Sequence, residues 1–262
     1  AGDLVAMLKV MLSPEVQLRL QLEKTVDLSK LRIFYADDVG CKFFSRIHPD
    51  IKEALRRVCS YLGREFGSPV ERIRLGEASL TSKMWAALFT ASKCEPISRF
   101  FTDDDGRPIN PWLEFIKIFC GNSKHTFPAV LVTLLERHSM FKTDSDSTRY
   151  YLTMVRNFKE HLLSTLRDDA VLIYPTAFGP APFHNEHVLR PGQSSLTALA
   201  NIAGCPSTAI PIGMTSNGRP LGLQVMAAPN MDRLCLAVAV ELEKGFGGWQ
   251  RPFDAVVPSR VL

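Results

Sequence analysis

Apolar and polar positions along this chain follow two periods, and the changes of period mark its elements. Residues 3–12, Asp-Leu-Val-Ala-Met-Leu-Lys-Val-Met-Leu, are apolar on most sides. They read as a helix with Asp3 as its cap and Ser13-Pro14 as its end. A helix of that kind calls for burial, and partners upstream of residue 1 are expected to supply it. Leu31–Tyr35 has the character of a strand. His48-Pro49-Asp50 opens a helix to about Tyr61, with Ile51, Leu55, Val58 and Leu62 on one face. Val70–Leu75 reads as a short strand and residues 79–93 as a helix. Strand, helix and strand in that order begin an α/β layer structure.

The second half gives a sharper pattern. Over 147–167 the stripe Tyr150, Met154, Phe158, Leu162 and Leu166 predicts a long helix. Ala170–Tyr174 is apolar without interruption, as a strand covered on both faces must be. It stops at Pro175-Thr176, and Gly179, Pro180 and Pro182 make the stretch to Pro191-Gly192 a loop at that strand's end. In open α/β sheets ligands bind beside such loops. Ser195 can cap a helix to about Ala203. Ala209–Ile212 and Leu221–Ala227 are strands joined at Asn217-Gly218, and 232–244 is a closing helix. The expected fold is α/β, a mixed sheet flanked by helices.

Residues 111–140 depart from this pattern. Trp112, Leu113, Phe115, Ile116, Ile118 and Phe119 precede a turn at Gly121-Asn122, and Phe127, Val130, Leu131, Leu134 and Leu135 follow it. Two short helices result, flanked by Lys117, Lys124, Arg137 and Lys142. Such a hairpin packs on a core, lies in a membrane interface or forms the wall of a lipid-binding channel.

Composition narrows the class. The chain is 46% hydrophobic with a formal net charge of +4, an ordinary globular balance that gives no ground for a nucleic-acid partner. Cysteines 41, 59, 94, 120, 205 and 235 form no Cys-x-x-Cys pair and read as reduced, mostly buried thiols of an intracellular protein. No apolar run reaches the roughly 18 residues of a spanning helix, and no signal peptide is expected at the start.

The candidate chemistry is sparse. Asp103-Asp104-Asp105-Gly106 lacks the alternation and closing Glu of a calcium loop. His184 and His187, with Glu186 beside them, are a weak metal pair, and no metal or cofactor is expected. Ser194-Ser195 sits in no Gly-x-Ser-x-Gly elbow, so helix capping accounts for it.

Three segments in register carry a resemblance. They are Asp169-x-Val171-Leu172-Ile173-Tyr174-Pro175-Thr176, then Asn201-x-x-Gly204-x-Pro206, then Gly218-x-Pro220-x-Gly222-x-Gln224. Their order and spacing resemble the C-terminal half of the amidase signature family, most closely its fatty-acid amide hydrolases of the second type. The resemblance implies a serine amidase that splits fatty-acid amides into acid and amine through a Ser-Ser-Lys site. The family's Gly/Ser-rich signature segment and its lysine have no counterpart here, so the catalytic residues are expected upstream of residue 1. The chain alone is therefore expected to be one incomplete amidase domain over 1–262, inactive, and prone to aggregate. By position the resemblance implicates Thr176, Phe178, Phe183, Thr197 and Asn201 in substrate binding. It also makes the 111–140 hairpin a candidate membrane face through Trp112, Phe115, Ile116 and Phe119. The implied partners are a lipid amide, an endoplasmic-reticulum or lipid-droplet surface, and a second copy in the full-length enzyme. Two alternatives stay open: an amidase of short or aminoacyl amides, and a non-catalytic isoform that binds lipid or the full-length enzyme.

Overall fold

The computed structural model describes residues 1–38, 46–92, 95, 97–103, 105–137, 145–183 and 195–249. Five strands form one sheet: β1 (Arg32–Tyr35), β2 (Val70–Arg72), β3 (Ala170–Pro175), β4 (Ser207–Met214) and β5 (Pro220–Ala227). Their order is β2-β1-β3-β5-β4. β1 runs parallel to β2 and β3, whereas β5 is antiparallel to both β3 and β4. The nine helices of the described residues are α1 (Gly2–Met11), α2 (Pro14–Leu20), α3 (Pro49–Phe66), α4 (Thr81–Ala91), α5 (Pro111–Phe119), α6 (Phe127–Arg137), α7 (Asp146–Leu166), α8 (Ser195–Ala203) and α9 (Asp232–Phe246). The fold is α/β, with a mixed sheet flanked by helices, as the alternating pattern predicts. Two compact units divide it, one of residues 1–82 with 155–262 and one of 83–154.

In the first unit the core forms around β3, all six of whose residues are buried. Each Val, Leu or Ile placed there contributes roughly 1.5–3 kcal/mol relative to exposure. α3 exists because His48 caps it, its Nδ1 accepting from the Asp50 N–H at 3.3 Å, and because Pro49 fits the first turn. Ile51, Ala54, Leu55, Val58 and Leu62 then fall on its buried face. It runs on to Phe66 and stops at Gly67, whose φ of 63° suits a residue without Cβ. α9 buries Leu234, Cys235, Leu236, Val238, Ala239 and Leu242. The two helices meet where Tyr61 donates to Glu241 at 2.9 Å and sets its ring edge-on to Phe246 at 5.5 Å. Arg32 and Asp169 tie the starts of β1 and β3 together, Nε to Oδ2 at 3.1 Å. The guanidinium holds the Asp169 carboxyl below its usual range. The pair is about half exposed, so it contributes at most about 1 kcal/mol.

Several local expectations are corrected. α1 has no buried residue, and Val10 and Met11 are 88% and 74% exposed. Its cover is partial: Val5 and Leu8 are half-buried and the Ala1 ammonium pairs with Glu243 of α9, while its other apolar side chains stay open. Ala1, not Asp3, stands at its N-cap, with no side-chain bond. Ser13-Pro14 does end α1, but it also starts α2, with Ser13 Oγ accepting from the Val16 N–H at 3.4 Å. α8 is described from Ser195 on. The preceding position, Ser194, lies outside the described residues, as do His184, Glu186 and His187.

In the second unit α5 and α6 make the helical pair expected at 111–140. Asn110 Oδ1 accepts from the N–H groups of Trp112 and Leu113 at 3.1 and 3.5 Å, starting α5 behind Pro111. Glu114 is buried, takes a bond from Ser123 Oγ at 3.4 Å, and pairs with Lys117 at 3.2 Å. The acidic turn is explained locally: Asp103 Oδ1 accepts from the N–H groups of Asp105 and Arg107, which spends that carboxylate on the turn. Asp104 lies outside the described residues.

Candidate functional site

The sheet's irregular end makes the site. β3 ends at Pro175, the chain turns away through Thr176–Ala181, and β5 enters beside it in the opposite direction. Between this loop, β4 and β5 lies a cleft of about 360 Å³. Its walls are apolar: Ile51 from the first turn of α3, Ala209 and Pro211 from β4, and Leu221 and Gly222 from β5. The loop is pinned at two points. The His48 N–H donates to the Phe178 carbonyl at 2.7 Å, and Arg219 Nη1 donates to the Ala181 carbonyl at 3.2 Å. The strands beneath are locked by Gln224, which donates to the Pro175 carbonyl and accepts from Ser207 Oγ, both at 3.2 Å. The strands approach closely at Gly222, where a Cβ would just touch the Ile210 carbonyl at 3.4 Å. At the far end of the hairpin Gly218 takes φ of 72° in the turn, as the Asn217-Gly218 pattern predicts.

Among the described residues one polar side chain lines this cleft. Thr176 Oγ1 is buried and has no hydrogen-bond partner among the described residues. A buried hydroxyl left unpaired costs about 1–3 kcal/mol, and a ligand amide or carboxyl can remove that cost. Among the described residues no titratable side chain lines the cleft with it. The described walls can bind and orient an apolar chain with a polar head, and none of their side chains is a base that could activate a nucleophile.

Of the residues implicated by position, Thr176 alone lines the cleft. Phe178 is 3% exposed in the core beneath the loop, while Phe183 is 79% exposed. Thr197 and Asn201 lie on the solvent side of α8, away from the cleft walls. Ile51, Ala209, Pro211 and Leu221 were not anticipated. Gly222 was visible in the sequence as a close backbone approach, which marks the strand wall if its neighbours are taken with it.

On the second unit Trp112, Ile116 and Phe119 follow a helical spacing and are 53%, 60% and 74% exposed. Phe115 is only half-exposed, held edge-on to Phe119 at 5.1 Å and 6.1 Å from Phe127. No helix among the described residues is long and apolar enough to cross a membrane. Among the described cysteines, burial pushes the Cys59 thiol up to about 12 and that of Cys205 to about 11. Cys120 is exposed, against the expectation of mostly buried thiols. The described residues hold no group of three or more His, Cys, Asp or Glu placed to bind a metal.

Residues 6–236 match the Amidase family model. The chain belongs to the amidase family. It is 32% identical over 259 residues to human Fatty-acid amide hydrolase 2, and 34% identical over 257 residues to Fatty-acid amide hydrolase 2-B of Danio rerio. Each alignment covers 96% of this amidase chain and 48% of the relative. The chain therefore spans about half the length of the curated relatives it matches. The solved structure of 6-aminohexanoate cyclic dimer hydrolase complexed with substrate shares the fold. Its TM-score is 0.64 at 18% identity, with 88% of this chain laid on 48% of that one.

Proposed function

We propose that this amidase chain forms the substrate-cleft half of an enzyme that hydrolyses fatty-acid amides to fatty acid and amine. The observation that carries the reading is the identity of 32% and 34% to two fatty-acid amide hydrolases of type 2 across 96% of the chain. The apolar cleft, with one unpaired hydroxyl at Thr176, suits a long acyl chain whose head is an amide. Phe178 supports the cleft from below, and Phe183, Thr197 and Asn201 lie outside its walls; we assign them to the approach of the chain. The Ser-Ser-Lys residues come from outside these 262 residues, so the chain alone binds without turnover. The exposed Trp112, Ile116 and Phe119, with Phe115 behind them, rest on a lipid surface of endoplasmic-reticulum or droplet type and deliver substrate from it. Pairing with a second copy belongs to the full-length enzyme.

The test is a binding series on the purified chain, with primary amides from acetamide to octadecanamide. Affinity is expected to rise with acyl length, with no release of fatty acid. A preference for acetamide over the long amides would overturn the fatty-acid reading in favour of a short-amide amidase. Release of acid by the chain alone would overturn the placement of the catalytic residues.

A further inference from the structure

Gln224 is an unfavourable residue for the interior of a sheet. It lies in β5, between β3 and β4, and is 4% exposed. A buried amide lowers stability unless both its ends are paired, and an apolar side chain of similar size would avoid the difficulty. Register sets Gln224 in one row with Tyr174 of β3 and Ala209 of β4. Residues opposed in this way carry their side chains on one face, so the amide stands in the row that ends at Ala209 of the cleft wall.

Both ends of the amide are engaged, in a fixed direction. A carbonyl only accepts, so the Nε2 end of Gln224 donates to Pro175 at 3.2 Å. That leaves Oε1 to accept from Ser207 Oγ, also at 3.2 Å. Ser207, Gln224 and the Pro175 carbonyl form a directed chain in which each bond polarises the next. It ends on the peptide bond that joins Pro175 to Thr176. Pro175 is the last residue of β3 and brings no N–H to the ladder, so a side-chain bond to its carbonyl adds restraint where the strand ends. The hydroxyl of the cleft belongs to the next residue.

We infer that Gln224 is a positioning residue: held by Ser207, it fixes the Pro175–Thr176 peptide and so aims the Thr176 hydroxyl at the head of a bound amide. The inference rests on the acyl-amide reading of the cleft. An apolar tail needs walls, which Ile51, Pro211 and Leu221 supply without Gln224. A polar head needs a hydrogen-bonding group at a fixed place, because such a bond weakens steeply with misalignment. Loss of the Gln224 amide is therefore expected to impair recognition of the head and to spare that of the tail.

The experiment titrates the purified chain with octanamide and with heptane, the same tail without the head, and follows both by NMR. The ratio of the two affinities reads recognition of the head alone. Gln224→Leu is expected to lower that ratio about threefold to tenfold, the worth of one hydrogen bond, and to leave heptane binding unchanged. In a Thr176→Val background the same change is expected to do nothing further, since a residue that acts through the hydroxyl has no effect once the hydroxyl is gone. Ser207 is exposed, so Ser207→Ala carries the same test if Gln224→Leu does not fold. About a twofold fall in the ratio is expected from it, again absent without the Thr176 hydroxyl. An unchanged ratio, equal losses for octanamide and heptane, or additive effects of Gln224→Leu and Thr176→Val overturn the inference and leave the acyl-amide reading in place. A wild-type chain that binds neither ligand overturns both.

Discussion

Thr176 combines two properties that seldom coincide: its hydroxyl is buried, and no described residue partners it. In a wall otherwise made of Ile51, Ala209, Pro211 and Leu221, the cheap choice for stability is a residue with no hydroxyl. Thr176→Val keeps the shape and removes the unpaired group. It is expected to leave folding stability unchanged or to raise it by up to about 1 kcal/mol, because no native hydrogen bond is lost. The same change is expected to weaken binding of a long primary amide by about 0.5–1.5 kcal/mol, the net worth of one hydrogen bond. Thermal melting and calorimetry on the two proteins separate the effects. A variant that loses stability yet binds the amide as before would show that the hydroxyl serves the fold. The sequence reading reached Thr176 through the strand that ends before it. It did not reach Ile51 or Leu221, since a wall built from three separate elements leaves no local spacing to detect.

Between elements, the contact of α3 with α9 depends on a residue that helix propensity disfavours. Gly245 lies inside α9, where alanine is better by about 1 kcal/mol on propensity alone. A Cβ there would stand 2.5 Å from Cζ of Tyr61. That ring cannot swing aside freely, because its hydroxyl is bonded to Glu241 and its edge meets Phe246. Sterics therefore outweigh propensity, and Gly245→Ala is expected to cost about 1–3 kcal/mol. Urea unfolding measures it, and adding Tyr61→Leu should recover most of the loss. A stabilising Gly245→Ala would mean that the ring yields. Elements of this kind divide by legibility. β3 was readable because a strand covered on both faces must be apolar throughout, whatever its neighbours. α1 has no buried residue, and its pattern reports how much cover a helix needs, not what supplies it. The second role of Ser13, as cap of α2, was hidden by its plainer role as a stop signal beside proline.

At the scale of the whole molecule, apolar surface is concentrated rather than scattered. Val10, Met11 and Leu18 are 88%, 74% and 78% exposed within the first eighteen residues, and Met11 lines a groove between α1 and the start of β4. The net charge of +4 spread over 262 residues gives little repulsion to oppose association through such a surface. Val10→Lys with Leu18→Lys adds two positive charges at positions that contribute almost nothing to the core. Exposed substitutions of this type usually change stability by no more than about 0.5 kcal/mol, so melting temperature is expected to stay in place. The concentration at which light scattering begins should instead rise several-fold. The contrast is informative because the two observables respond to different states: melting follows the folded chain's interior, and scattering follows what its surface meets. If both fell together, α1 and α2 would be part of the folded core despite their exposure. If scattering alone moved, the apolar surface would be separable from the stability of the chain that carries it, as a surface shaped to be covered requires.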